Sequence, residues 1–265
     1  MLTSKTPTSL ARTQAYKIQL YEPSANLLQG QLAEEVFKEY VRRVAKDFSE
    51  NPELKGLTYN PETQTIKGSN SYSAILINQI VEEKGLRVAT QADLERILFH
   101  DPSDLRGFYN DAALILRSTD EPNKYPAKYL AEQIKTRTKL LPHYPLMINL
   151  TDLELEKKSK RILFKLKENA EPIRNPVLNQ GGTFSPDEID FKTGLPTSLP
   201  NYDTDENGLP IPTTKDGIRL LAYTRDKGLT RMTNNIFTDL ETDILDLSRT
   251  EDTGRIIVID PNQYQ

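Results

Sequence analysis

The chain has 265 residues, a net charge of -4, a pI near 5.5, and neither cysteine nor tryptophan. The absence of cysteine excludes disulfide scaffolds, thiolate metal sites and cysteine nucleophiles. The acidic balance argues against nucleic acid as a partner, because phosphate neutralisation needs a basic surface, and leaves only a local basic patch open.

The N-terminal part predicts a tail, a strand, a helix and a hairpin. Residues 1–15 are polar and predict a loose tail without the apolar core of a signal peptide. No run of about 18 apolar residues occurs, so we expect no membrane span and a cytoplasmic location by default, with export by an unrecognised route left open. Alternation predicts a strand at 16–21, helical periodicity predicts a helix over 31–48, and two β-prone runs predict a hairpin over 57–68.

Segment 71–95 predicts a compact corner of two helices around a short strand. Apolar residues recur at helical spacing in its first part, at Ile75, Leu76, Ile80 and Val81. Gly85 is placed to end that helix. Thr90 and Asp93 have the spacing of a capping box, which predicts the start of a second helix.

The middle of the chain predicts a helix entered through Pro126 and a long hairpin. In the hairpin, a turn at 157–160 would place Glu156 opposite Arg161 and Asp152 opposite Lys165. The carboxylates of this region, Asp152, Glu154 and Glu156, would then form its solvated face, as the strand period of two requires.

The C-terminal half begins with segment 176–217, whose Pro, Gly, Asn and Asp content predicts a long loop. A strand is predicted within 217–226. The final run 254–260 is continuously apolar and predicts a buried central strand.

A calcium site is the one cofactor hypothesis that the sequence offers. Its candidate ligands are Asp203, Asp205 and Asn207, which precede Gly208 and resemble the oxygen ligands of helix-loop-helix calcium sites and thrombospondin-like calcium repeats. The twelfth position holds Thr214 instead of a bidentate glutamate. Asx turns in a loop are the alternative interpretation.

The histidines, His100 and His143, lack companions at metal-ligand spacing. An enzyme hypothesis combines His100 with three nearby carboxylates, those of Asp101, Asp104 and Asp111, and requires a pocket that holds at least two of them. A structural assembly protein is a further alternative and would show a large apolar surface patch.

Segment 71–95 also resembles the C-type-lectin-like fold of formylglycine-generating-enzyme relatives and of the variable proteins of diversity-generating retroelements. The motif there reads R-L-P-T-E-A-E-W. The chain keeps its frame at Arg87, Thr90 and Ala92, has Val88, Ala89, Asp93 and Leu94 at four of the other positions, and continues into Glu95. The resemblance implies a mixed α+β single domain over 16–265, with 176–217 as a long loop insertion. Because the oxidase activity of the formylglycine enzymes relies on cysteine, it does not carry over.

The resemblance implies a non-enzymatic domain that binds a protein or cell-surface ligand through a displayed C-terminal segment, which is diversified in the variable proteins. The residues expected to face outward and bind are Arg231, Thr233, Asn234, Asn235, Phe237, Glu241, Asp243 and Arg249. Apolar residues between them, Leu229, Ile236, Leu240, Ile244 and Leu247, would anchor the segment. Helical spacing of several of these anchors leaves a single amphipathic helix over 228–247 as the alternative.

Overall fold

The computed structural model describes residues 26–101, 105–138, 145–199, 219–223 and 226–264. The predicted tail, the predicted strand at 16–21, His143 and the calcium candidates Asp203, Asp205 and Asn207 lie outside these residues. The described part is a mixed α+β single domain, as the sequence predicts. Its helices are α1 Gly30–Asp47, α2 Ser71–Glu82, α3 Gln91–His100 and α4 Lys124–Thr138.

The strands belong to one large sheet and several small ones. The seven-stranded sheet has the order β10-β13-β15-β14-β5-β6-β9, and the three-stranded sheet has the order β1-β16-β4. Three hairpins, β2-β3, β7-β8 and β11-β12, complete the fold. The strands are β1 Asn26–Leu27, β2 Thr58–Asn60, β3 Thr65–Lys67, β4 Arg87–Val88, β5 Asn110–Leu116, β6 Leu146–Asn149, β7 Leu153–Lys158, β8 Arg161–Leu166, β9 Ile173–Arg174, β10 Gly182–Phe184, β11 Ile189–Asp190, β12 Leu195–Pro196, β13 Arg219–Ala222, β14 Leu229–Asn234, β15 Leu240–Ile244 and β16 Ile257–Ile259.

The corner predicted at 71–95 is confirmed. Asn70 caps α2 by accepting a hydrogen bond from the Ser73 amide, and Gly85 follows the helix with a φ of +76°. Thr90 and Asp93 form the reciprocal capping box at the start of α3. Helix α2 therefore enters the core while α3 lies beside it, with β4 between them.

The core lies on both faces of the large sheet. Every residue of β5 is buried, and its side chains from Ala113 to Leu116 alternate between two clusters. Leu114 and Leu116 pack with α2 and α4, whereas Ala113 and Ile115 pack with residues of β10, β13 and β15. Because β5 is covered on both faces, its sequence from Ala112 to Leu116 is continuously apolar. Strand β16 is likewise buried at the centre of its sheet, which confirms the prediction for 254–260.

The hairpin β7-β8 is confirmed, but its predicted register is wrong by two residues. Glu154 lies opposite Lys165, and their side chains form an ion pair at 3.2 Å. The turn is shorter than predicted because Ser159 adopts a φ of +58° and closes the hairpin between Lys158 and Arg161. An even shift keeps every side chain on its predicted face.

Two further predictions need correction. Segment 176–217 is not one continuous loop, because β10, β11 and β12 lie within it and β10 extends the large sheet; residues 200–217 lie outside the described part. Segment 228–247 is not a helix, because it forms β14, a tight turn and β15. Sheet pairing on both sides of β14 replaces the helical hydrogen bonds that the spacing allowed.

Candidate functional site

The predicted binding segment occupies the interior strands β14 and β15, the turn between them and residues 245–254 that follow, which we call the tail. Three of the eight predicted binding residues, Arg231, Thr233 and Asn234, have no exposed surface. Their predicted outward orientation is wrong, since β14 lies between β5 and β15 and is covered on both faces. The other five reach the surface at least in part: Asn235, Phe237, Glu241, Asp243 and Arg249. Of the predicted anchors, Leu229, Leu240 and Leu247 are buried, and Ile236 and Ile244 are partly exposed.

The register of β14 shifts against both of its neighbouring strands at the same position along the strand. Its pairing with β15 shifts between Arg231 and Thr233, and its pairing with β5 shifts between Met232 and Thr233. After both shifts, Thr233 lies opposite Asp111 on one side and Glu241 on the other. Bulges re-aim side chains and are common beside functional sites. Here they align Asp111, Thr233 and Glu241 across three neighbouring strands.

A fully buried ion pair forms the floor of the site. The guanidinium of Arg231 donates two hydrogen bonds to the carboxylate of Asp111, one of them at 3.2 Å from Nη2 to Oδ2. The hydroxyl of Ser69 donates to the same carboxylate. Neither charged side chain has any exposed surface. A buried pair of this kind is rigid, because moving either charge would leave the other without compensation.

The floor also fixes the tail that crosses above it. Arg231 Nη1 donates to the carbonyl of Arg249 at 2.6 Å. Asn70 donates to the carbonyl of Ser248 at 3.1 Å and to the hydroxyl of Thr250 at 2.8 Å. A Cβ at Gly254 would lie 2.5 Å from the Ser69 amide nitrogen, so only glycine allows this close approach.

Asn235 organises the turn between β14 and β15. Its Oδ1 accepts hydrogen bonds from the amides of Phe237 at 2.9 Å and Asp239 at 3.1 Å, and its Nδ2 donates to Glu241 at 3.0 Å. Thr238 takes a φ of +72° to close the turn. The Phe237 ring is thereby held in the solvent, with 71% of its surface exposed.

A second buried ion pair, between Arg219 and Glu95, holds the turn between β14 and β15 in place. Arg219 donates to the carboxylate of Glu95 in α3, through Nη2 at 2.9 Å and through Nη1. The same guanidinium donates from Nε to the carbonyl of Thr238 at 2.7 Å, and Nη2 also reaches Asn234 at 3.2 Å. Asn234 in turn donates to Gln91 at 3.1 Å. The turn that carries Phe237 is therefore tied to helix α3 as well as to the sheet.

We define the recognition face as the side chains that surround this turn and tail: Tyr109, Asn235, Phe237, Glu241, Asp243, Arg249 and Glu251. The predictions missed Tyr109 and Glu251. Tyr109 joins the face because the charges of Glu241, Glu251 and Arg249 act on its phenol, and the nearby Gly107 amide donates to the carbonyl of Ile236 at 2.9 Å. Glu251 joins it through an ion pair with Arg249 at 2.9 Å.

Negative charge dominates the recognition face. Burial raises the pKa of Glu241, the hydrogen bond from Asn235 opposes this, and the nearby charges of Asp243, Asp239 and Glu251 raise it further. Burial and the same Glu241 and Glu251 charges raise the pKa of Tyr109. No cation of the described residues lies within 4 Å of the Glu241 carboxylate, whose side chain is partly exposed. A cationic group from a partner would find that carboxylate accessible.

One buried polar atom of the site lacks a partner. The hydroxyl oxygen of Thr233 has no hydrogen bond, although its residue is fully buried between Asp111 and Glu241. Within the described ranges, no group of three or more histidine, aspartate or glutamate side chains is arranged to hold a metal ion. The calcium hypothesis therefore still rests on residues that the structure does not describe.

The described residues of the enzyme hypothesis lie in different surroundings. Asp111 is buried against Arg231 and Ser69, whereas His100 and Asp101 lie exposed at the C-terminal end of α3. Asp104 lies outside the described residues. This correction follows from the pairing of β5 with β14, which encloses the Asp111 carboxylate. The assembly hypothesis receives no specific support from the exposed large hydrophobic residues of the described part, which belong to different elements: Val41, Phe99, Tyr125 and Phe237.

Comparisons with protein-family models, curated proteins and solved structures gave no match. The C-type-lectin-like assignment therefore stays a prediction. Across the described helices, none combines the length and apolar character that crossing a bilayer requires.

Proposed function

We propose that the chain is a non-enzymatic protein-binding domain whose recognition face binds a positively charged segment of a partner. The observation that carries the proposal is Phe237, a ring exposed to 71% on a turn fixed by Asn235 and Arg219. In the described part of the chain, this is the most exposed of the large hydrophobic side chains. It provides an anchor that loses little conformational entropy on binding.

The charge of the face indicates the chemistry of the partner. The face carries three carboxylates, those of Glu241, Asp243 and Glu251, and one guanidinium, that of Arg249, which pairs with Glu251. A lysine or arginine side chain would pair with Glu241 while the stem of that side chain packs on an aromatic ring. Electrostatic complementarity of this kind gives specificity and a fast association rate.

The resemblance to variable proteins adds a genetic hypothesis, namely that the segment is diversified. The burial of Arg231, Thr233 and Asn234 restricts tolerable variation to the exposed positions. Sequencing the neighbourhood of the gene for a reverse transcriptase and a near-repeat of its last hundred or so bases tests this hypothesis. An ordinary neighbourhood would remove diversification from the proposal and leave binding to be judged on its own experiment.

The binding experiment selects random displayed peptides on the native chain, with counter-selection on the Phe237→Ala variant. We expect enriched peptides that contain lysine or arginine beside an apolar residue. Calorimetry with one enriched peptide should then show binding that weakens at least tenfold in Phe237→Ala and in Glu241→Gln, since each variant removes one type of contact. Tyr125→Ala is the matched control, because it removes another exposed aromatic ring, in α4.

Equal affinity for the native chain and both variants would overturn the proposal, as would failure to enrich any sequence. Enrichment of acidic peptides would contradict the assigned charge of the partner. A loss of affinity in Tyr125→Ala as large as that in Phe237→Ala would place binding elsewhere on the molecule.

A further inference from the structure

The tip of hairpin β7-β8 concentrates positive charge in a chain that is negative overall. Residues 157–161 read Lys-Lys-Ser-Lys-Arg, and the first turns of α4 contribute Lys124 and Lys128. With a net charge of -4 over the whole chain, this basic tip is a local departure from the general balance. A local basic patch of this kind is compatible with the acidic composition of the whole chain.

The basic tip and the start of α4 line an open cleft of about 530 Å³. Its lining combines cations with a hydroxyl, an aromatic ring and one aliphatic side chain: Lys158, Lys160, Arg161, Ser159, Tyr125 and Leu163. A volume of this size accommodates a nucleotide-sized group.

Aromatic rings hold two of the cations at the cleft. The Arg161 guanidinium lies 4.1 Å from the centroid of the Tyr125 ring, and Lys158 Nζ lies 4.0 Å from the centroid of the Tyr129 ring. Tyr125 nevertheless keeps 62% of its surface exposed. The cleft therefore offers an accessible ring beside cations whose positions are already restricted.

The cations of the cleft are only partly neutralised. Glu156 accepts a hydrogen bond from the Tyr129 hydroxyl and lies 3.6 Å from Lys158. No carboxylate of the described residues lies within 4 Å of Lys160 or Arg161. Their charges remain available to an anion.

Solubility of a hairpin turn explains some, but not all, of this arrangement. Lys157 has a structural contact, because its Nζ donates to the carbonyl of Asp47 at 3.1 Å. A solvated turn requires neither an exposed tyrosine nor a cleft. The combination of cations and an accessible ring is the one that single-stranded nucleic acid requires, with phosphates paired to cations and a base stacked on the ring.

We propose that this cleft binds single-stranded nucleic acid, independently of the recognition face. Lys158, Lys160 and Arg161 contact successive phosphates, and one base stacks on the face of the Tyr125 ring opposite to the Arg161 guanidinium. A duplex is a poorer ligand because its bases are already stacked and cannot reach the ring. The acidic remainder of the surface limits the footprint to a few nucleotides.

The test measures the fluorescence anisotropy of labelled twelve-nucleotide oligo-dT and oligo-U at several salt concentrations. Three phosphate contacts predict a slope of log affinity against log salt of about -2 for a single strand. Lys160→Gln with Arg161→Gln should bring that slope to about -1. Tyr125→Ala should weaken binding about tenfold or more without changing the slope.

The matched control is Lys84→Gln with Lys192→Gln, which changes the net charge equally at exposed positions that do not line the cleft. It should bind like the native chain. Tyr125→Phe retains the ring and should also retain affinity. Circular dichroism of each variant separates lost binding from lost folding.

Equal affinity for a duplex of the same length, or for vesicles with anionic headgroups, would overturn the proposal in favour of a non-specific polyanion surface. Binding of a free mononucleotide as tight as that of the oligonucleotide would overturn the single-strand assignment. Absence of binding at low salt would also overturn it, as would an unchanged affinity in Tyr125→Ala.

Discussion

The buried pair of Arg231 and Asp111 permits the most direct quantitative prediction. In Asp111→Asn the guanidinium loses its charge partner inside a site that water does not reach, since both side chains are fully buried. Breaking a buried pair from one side typically lowers the free energy of unfolding by about 3–5 kcal/mol. This is a large share of the roughly 5–15 kcal/mol that stabilises a domain.

Removing both charges should be less harmful than removing one. In Asp111→Leu with Arg231→Met no charge is left buried, but the Ser69 hydroxyl loses its acceptor, the Arg249 carbonyl loses its donor, and the Ser69 carbonyl loses a long hydrogen bond of 3.5 Å. Two short hydrogen bonds and one long one together cost about 2–3 kcal/mol, which is the loss that we expect. The double variant should therefore be more stable than Asp111→Asn.

The assay is urea unfolding followed by far-ultraviolet circular dichroism. The control is Glu154→Gln, which breaks the exposed pair with Lys165 and should change the free energy of unfolding by less than about 1 kcal/mol. If Asp111→Asn lowers the free energy of unfolding by no more than this control does, the reasoning about the buried pair is refuted. It is also refuted if the loss in the double variant equals the sum of the losses in Asp111→Leu alone and Arg231→Met alone.

Three further predictions concern pH, the turn and a helix cap. The pKa of Glu241 is higher in the folded chain than its unfolded value near 4.5. The protonated carboxyl therefore contributes fully to the free energy of unfolding below the unfolded pKa, and this contribution is lost as pH rises through the folded pKa. Thermal melts should therefore show Glu241→Gln more stable than the native chain at pH 7 and equal to it at pH 4. Asn235→Ala removes the acceptor of two backbone amides in the turn, so urea unfolding should show a loss of about 1–2 kcal/mol; no loss would contradict a rigid turn. Thr90→Ala removes the cap of α3 and should lower the free energy of unfolding by about 1 kcal/mol in the same assay, with Thr90→Ser retaining most of it.

The elements that the sequence predicted well are those specified by local patterns. Helix α2 is recognisable from its apolar period, and α3 from the spacing of Thr90 and Asp93. The register of β7-β8 failed because the turn depends on a positive φ at Ser159. Glycine, asparagine and aspartate are the usual sequence signals for that backbone conformation, and serine is not.

The site was harder to predict because its charges are paired across long separations in sequence. The sequence predicts that Arg231 faces outward and places Asp111 among the carboxylates of the enzyme hypothesis, but it does not pair the two. They are buried because β14 pairs with β5, which brings together residues 120 positions apart. The sequence does carry one signal, because opposite charges stand at the edge of the apolar run of β5, at Asp111, and within β14, at Arg231. Only the pairing of the two strands identifies these residues as partners.

Mapping the bound peptide by amide chemical shifts is the most direct test of the recognition face. With an isotopically labelled chain and a peptide enriched by selection, we predict shifts concentrated at residues 235–243, at 249–251 and at Tyr109, which lose their dependence on the peptide in Phe237→Ala. Shifts confined to other surfaces, or a pattern unchanged by Phe237→Ala, would contradict the assignment of this face as the binding surface.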